Sequence, residues 1–316
     1  MPEIGVALSS EDHGPKDLVE QARMAEQAGF TAAWISDHYH PWTTSQGHSP
    51  FVWCVLGGIA AATNLRAGTG VTCPTTRIHP AIIAQAAATT AVMFDGRFYL
   101  GVGSGEALNE HILGDVWPGA DIRLEMLEEA IAVLRLLWQG GTQSHYGEYY
   151  TVENAQVFDL PDKPPPIYIS AFGEKALKSA ARLGDGYVGT SPEKDMVDTY
   201  VSLGGRGPKI AGMKCCYSTD GAEARRLVHT LWPNMGLPGE LAQILPTPAH
   251  FEQAAELVTE AMVADPIPTG SNPEDYIASI SQFVDAGYDE IYIHNIGPHH
   301  EEFFNFFAET VGPQLP

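Results

Sequence analysis

No apolar run in the 316 residues approaches the roughly 18 uninterrupted positions that a membrane span needs. Cysteine is scarce. Cys54, Cys73, Cys215 and Cys216 form no C-x-x-C pair, so neither a disulfide framework nor a zinc site is expected. Adjacent Cys215 and Cys216 point to opposite faces of a strand, and all four read as small apolar fillers. Positive charge is also short: 17 Lys and Arg stand against 39 Asp and Glu, a net charge of −22. That balance argues against nucleic acid, whose phosphates demand a basic footprint, and against anionic membranes. The shortage is uneven, because no Lys or Arg follows Arg226 whereas thirteen Asp and Glu lie between Glu240 and Glu309. No H-E-x-x-H or similar spacing occurs, so no metal is expected. Gly103-Ser104-Gly105 is not a G-x-S-x-G elbow, which removes a serine-hydrolase reading. The opening residues Met1 to Val6 enter a strand-like run without the basic and apolar segments of a signal peptide, so a cytoplasmic protein is expected.

What is present is an alternation of strands and helices. Strand-like runs fall at Glu3–Leu8, Ala32–Ser36, Leu65–Val71, Arg97–Val102, Ile167–Ser170, Tyr187–Gly189, Ile210–Tyr217 and Glu290–His294. Helical patterns separate them, the clearest at Arg123–Trp138, where Leu124, Leu127, Ile131, Leu134 and Trp138 keep helical spacing. Gly29, Gly184 and Gly287 punctuate three helix ends in the same way, each leading into a strand. A Tyr-rich alternating segment at about 140–166 reads as an inserted hairpin, and about 231–269 as a helical insertion. Eight largely apolar strands alternating with helices imply an α/β fold with a closed parallel sheet, a TIM (β/α)8 barrel spanning 1–316 as one domain. An open doubly wound sheet is the second choice.

In such a barrel the functional site lies at the C-terminal strand ends, which lets position select the candidates. Ala33 to Trp42 is the most telling stretch: an apolar strand ends in Asp37, His38, His40 and Trp42, with Pro41 preventing any helix. Histidine exchanges a proton near neutrality, and tryptophan offers a flat wall with one N–H donor. The third strand delivers Gly70, Val71 and Thr72. The fourth delivers Gly101-Val102-Gly103-Ser104-Gly105-Glu106, with Asn109 close behind. Later strands bring Ser170, Ala171 and Gly173, then Thr190 and Ser191. The G-x-G-x-G spacing is a poor dinucleotide fingerprint but suits backbone lying against a flat ring. Glu106 is either a desolvated carboxyl able to act as an acid or a carboxylate serving a helix N-terminus. Gly173, just before a helix, suits a phosphate. His79-Pro80 starts a helix, and His299-His300 reads as an exposed helix start.

Ser36-Asp37-His38-Tyr39-His40-Pro41-Trp42, the run Gly101 to Glu110 and Gly184-Asp185-Gly186-Tyr187 resemble the deazaflavin-dependent branch of the bacterial luciferase-like superfamily. Pro80 to Ala86 and Gly147 to Tyr150 agree with it. That branch includes the coenzyme F-420-dependent glucose-6-phosphate and secondary alcohol dehydrogenases. The resemblance implies a TIM barrel, usually a homodimer, that binds F-420 in its mouth beside a small-molecule substrate. It makes His38 the base that takes a hydroxyl proton as hydride leaves for C5 of the deazaflavin. Glu106 becomes a proton donor or electrostatic partner, and Trp42 shapes the substrate side. Asp37, His38, Gly70, Val71, Thr72, Gly103, Ser104, Gly105, Glu106, Asn109, Ser170, Ala171 and Gly173 fall where the family contacts its coenzyme. The Gly70–Val71 peptide is expected to be cis.

Departures from the family bear on substrate. Sugar-phosphate members hold their phosphate with Lys after the sixth strand and with Lys or Arg in the C-terminal third. Here Glu193 stands where the first Lys is expected, Phe251-Glu252-Gln253 occupies the insertion, and no cation follows Arg226. Each missing charge-assisted hydrogen bond is worth about 1.5–3 kcal/mol. A non-phosphorylated alcohol or ketone is therefore expected. The alternatives are a C=C or C=N reductase using reduced F-420, a sugar-6-phosphate dehydrogenase with an altered phosphate site, an FMN-dependent monooxygenase, and a catalytically silent barrel that binds the coenzyme.

Overall fold

A strand covered on both faces shows no polar alternation, and β2 (Ala32–Ile35) and β4 (Phe98–Val102) are buried at every residue. In the computed structural model, which describes residues 2–315, they join β1 (Glu3–Leu8) and β3 (Arg66–Thr69) in one sheet. It continues through β7 (Ile167–Ser170), β8 (Gly186–Gly189), β9 (Lys209–Cys215) and β10 (Glu290–Asn295). The order β1-β10-β9-β8-β7-β4-β3-β2 closes on itself, and every neighbouring pair is parallel. The expected barrel is therefore the fold. β5 (Gln143–Tyr146) and β6 (Thr151–Ala155) form the inserted antiparallel hairpin. Glu129, on the helix Ala120–Leu137, pins its turn by accepting the N–H groups of Glu148, Tyr149 and Tyr150.

Inside the barrel, aromatic rings replace any channel. Trp34 stacks on Tyr292 with centroids 4.8 Å apart, and Tyr99 on Tyr168 at 4.7 Å. Val188 and Ile210 complete this inner cluster. Gly70 and Gly212 leave room for the Trp34 indole, since a Cβ at either would come within 2.6 Å or 2.5 Å of the ring. At the N-terminal end, Arg66 ion-pairs with Glu3 at 2.9 Å and Glu290 at 2.5 Å. These side chains fill the N-terminal end of the barrel, and the strand ends that carry function in this fold lie at the opposite mouth.

The insertion consists of the turn Pro233–Gly236 and the short helices Leu241–Ile244, Pro248–Ala255 and Glu260–Ala264. Its own core joins Trp232, Val258, Val263 and Ile296, and Trp42 packs against it. Glu252 fastens it to the β2 loop by accepting the Thr44 N–H at 2.8 Å.

Two local expectations are corrected. Gly29 and Gly287 are left-handed, with φ of 91° and 95°, but Gly184 ends its helix in extended backbone. There a Cβ would meet the carbonyls of Ala180 and Gly186, so close approach explains that glycine. Cys73, Cys215 and Cys216 are buried, whereas Cys54 is exposed on its helix. Among the described residues no helix is long and apolar enough to cross a membrane.

Candidate active site

The loop after β2 is held from beneath by buried charge. Asp37 Oδ1 lies 2.9 Å from Arg77 Nη2, and its Oδ2 accepts the Thr72 hydroxyl at 2.8 Å. Arg77 donates its backbone N–H to Glu110 Oε2 at 2.7 Å and holds Nε 3.4 Å from Oε1. Burial pushes the Glu110 carboxyl up to about 7 despite the opposing Arg77 guanidinium. Asn109 is fully buried; its Oδ1 accepts the N–H groups of Tyr39 and His40 at 2.7 and 2.9 Å, while its amide donates to Glu106. The side chains of Asp37, Thr72 and Asn109, expected beside a coenzyme, are thus engaged with the protein and shape the loop.

On that support His38 is placed between two carboxylates. Its Nδ1 lies 3.1 Å from Glu11 Oε1 and its Nε2 lies 3.5 Å from Glu106 Oε1. Glu11 is itself held by hydroxyls, accepting from Ser9 at 2.8 Å and Ser36 at 2.6 Å. Trp42 meets the imidazole edge-on with centroids 5.0 Å apart, and Phe251 backs Trp42 at 5.2 Å. His38, Trp42 and Glu106 are thereby brought together, from β2 and β4 as the strand-end rule anticipates.

The glycines are not one open wall. A Cβ on Gly101 would meet the Thr69 carbonyl, and one on Gly103 would meet Val71. Gly105 is left-handed at φ 78° and closes on Cys73. Close strand packing at Gly101 and Gly103 and a left-handed turn at Gly105 fix the backbone there. The Gly70–Val71 peptide is cis, as expected. Gly173 precedes the helix Glu174–Leu183, which carries no side-chain cap, and the space about it is open. Free N–H groups at such a helix start suit the anionic tail of a coenzyme.

Beyond β1, β9 and β10 lies a second polar group of residues that strand-end reasoning passed over. Asp12 Oδ2 accepts from Trp232 Nε1 at 2.7 Å and lies 3.3 Å from His294 Nε2. Burial raises the Asp12 carboxyl, but His294 and then Trp232 outweigh it and hold it below the ordinary value. Lys214, paired in register with His294, stands with its ammonium 5.0 Å from the centre of the Trp232 ring. Burial draws that ammonium down, with Glu11 and Asp12 opposing. The mouth therefore holds a cation from ahead of Arg226; Lys214 faces two carboxylates and leaves no positive excess. Lys194, Arg225 and Arg226 are taken up by Asp198, by Glu260 and Asp265, and by Asp220. These residues were legible only as the continuation of β1 and as alternate positions of β9 and β10.

His300 is not an exposed helix start. Its Nε2 lies 3.0 Å from His13 Nε2, and burial lowers His13 to about 4 and His300 to about 3. An unfolded chain binds these two protons near 6.5. Their contribution to stability is thus complete above pH 6.5 and lost as the pH falls toward 4. At about 1.4 kcal/mol per pKa unit the loss reaches several kcal/mol. Glu110 slopes the other way between 4.5 and about 7, offsetting one of the two protons. Melting temperature should therefore fall between about pH 7 and about pH 5, and His300→Gln should flatten the fall. Parallel curves for the two proteins would remove the histidine pair as the cause.

A half-buried, carboxylate-flanked imidazole at the mouth of a closed parallel barrel, with open backbone N–H groups at a helix start, makes an acid–base site beside a place for an anionic group. The family model for luciferase-like monooxygenases matches residues 1–290, and the chain belongs to that family. Within it the chain stands among F-420-dependent oxidoreductases. It is 34% identical to the F-420-dependent glucose-6-phosphate dehydrogenase of Microbacterium testaceum, over 99% of this chain and 97% of the relative. It is also 34% identical to that of Amycolatopsis mediterranei, over 100% and 99%. A solved F-420-dependent secondary alcohol dehydrogenase, in complex with an F-420–acetone adduct, superposes with a TM-score of 0.89 at 28% identity, covering 98% of each chain.

Proposed function

We propose that this protein is an F-420-dependent dehydrogenase that moves a hydride between a non-phosphorylated alcohol/ketone-type substrate and C5 of the deazaflavin. The observation that carries it is the placement of His38 between Glu11 and Glu106 at the barrel mouth. Glu11 against Nδ1 favours the tautomer with its proton there, which leaves Nε2 as the acceptor. Nε2 then takes the proton of the substrate hydroxyl, and Glu106 steadies the imidazolium that results. Trp42 orients the substrate with its indole face and N–H. The bound coenzyme supplies the hydride acceptor in oxidation and the donor in reduction. Gly70, Val71 and Ser170 fit the ring side of the mouth, with Gly103 and Ser104 beside them, and Ala171 and Gly173 lead to the helix start for the anionic tail. The departures at Glu193 and Phe251, together with the paired states of Lys194, Arg225 and Arg226, support a substrate without phosphate.

Titration of the purified protein with oxidised F-420, run beside FMN and followed by coenzyme fluorescence, tests the cofactor. Saturation by the deazaflavin alone is expected. Preference for FMN would overturn the reading and point to oxygen-using chemistry.

A further inference from the structure

Buried polar atoms without a protein partner are rare in folded proteins, because each loses its hydration for nothing in return. Two of those in this chain, Asp12 Oδ1 and Gln46 Nε2, stand close to the catalytic centre beside the rings of His38 and His294, whose Nδ1 and Nε2 face Glu11 and Asp12 at 3.1 and 3.3 Å. They form a connected set. Asp12 reaches His294 and Trp232; Gln46 Oε1 accepts the Trp42 backbone N–H at 2.7 Å; the Trp42 ring meets His38. Asp12 and Gln46 also line a groove of about 460 Å³ with His13, Ser45, Leu231 and His300, whose walls do not include Lys214 or His294. Lys214 adds a fifth group. It lies on the inward face of β9, two residues past Gly212, which abuts the Trp34 ring inside the barrel. Its ammonium rests over Trp232 and ion-pairs with no side chain among the described residues.

These groups alternate in kind. Asp12 offers acceptor lone pairs, Gln46 and Lys214 offer donors, His294 can be either, and Trp232 supplies an apolar face. A simple secondary alcohol has one hydroxyl, which His38 and Trp42 already use. A phosphate dianion would gain Lys214 but meet Glu11 and Asp12 in the same space. A ligand with several neutral hydroxyls satisfies the set, since each hydroxyl both donates and accepts. Resting on the dehydrogenase reading, we infer that the substrate is a neutral polyhydroxy compound, its further hydroxyls bound by Asp12, Gln46, Lys214 and His294 against the Trp232 face. Lys214 is then a specificity-determining residue, in contact with a substrate oxygen away from the reacting carbon.

The test is a tryptophan-fluorescence titration with D-sorbitol, D-glucose, glucose 6-phosphate and 2-butanol, with and without F-420 present. The polyols should saturate at least about tenfold more tightly than 2-butanol, the scale of one hydrogen bond to a charged group. Glucose 6-phosphate should bind no better than glucose. Lys214→Met should remove the polyol preference, and Gln46→Leu should weaken it in a chain whose buried charges are untouched. In turnover, Lys214→Met should raise KM for a polyol far more than it lowers kcat. Equal affinity for polyols and 2-butanol, or an unchanged preference in both variants, overturns the inference. Because sugar binding is read without hydride transfer, absence of F-420 quenching would sink the dehydrogenase reading alone.

Discussion

Replacing His38 by alanine is expected to reduce F-420-linked alcohol oxidation by roughly 10²–10⁴-fold, the span typical of a positioned general base. Coenzyme affinity should stay within a few-fold. The reason is geometric: the imidazole is the one group in the mouth with a carboxylate against each ring nitrogen, at 3.1 and 3.5 Å. Removing it leaves Glu11 and Glu106 facing a cavity, with no neutral acceptor matched to a hydroxyl proton. Single-turnover hydride transfer and a fluorescence titration separate the two effects. A variant that keeps a tenth or more of the wild-type rate would refute the assignment of His38 as base. One that loses coenzyme binding equally would make His38 a binding residue instead.

The second large effect is on stability. Arg77→Met should destabilise the fold by about 3–5 kcal/mol, because it removes the cation facing two buried carboxyl groups, leaving the Asp37 charge stranded and driving Glu110 further toward its protonated form. Arg77 is 5% exposed, and Asp37 and Glu110 are each 1% exposed. Asp37 has the Thr72 hydroxyl as its remaining side-chain donor, so its charge stays largely uncompensated. Urea unfolding measures the loss. Adding Asp37→Asn to the variant should recover part of it, since the stranded charge is then gone. A loss below about 1 kcal/mol would mean that water enters and solvates the carboxylates, and that the triad does not anchor the loop. Activity should fall with stability, because Asp37 is the residue next to His38 and its anchor sets where the imidazole points.

Much of this molecule can be read from its residues in order. Apolar runs without alternation mark strands covered on both faces, as at Ala32–Ile35 and Phe98–Val102. Local punctuation such as Gly29 and Gly287 marks helix ends. The rule that a barrel works at the C-terminal ends of its strands then puts His38, Trp42 and Glu106 among the candidates without any coordinates, and the family resemblance singles them out. Other features carry no such mark. Nothing in the sequence near Lys214 distinguishes it from a solvated lysine, since only the β9–β10 register sets it beside His294 and turns it inward. Glu11 and Asp12 lie in a short polar stretch that reads as an ordinary loop. Arg77, forty residues from Asp37, has no sequence relation to its partner.

The chain by itself determined the barrel, the imidazole, the indole and the carboxyl group at adjoining strand ends, because periodicity and strand-end chemistry are local properties. Tertiary structure alone decided which carboxylates flank His38, which protein partners Asp37, Thr72 and Asn109 take, and where Asp12, Gln46 and Lys214 gather. Those depend on distances between strands far apart in sequence. Closing the sheet sets such distances, and in a buried, weakly screened mouth a displacement of one or two ångströms separates an ion pair from an unsatisfied charge.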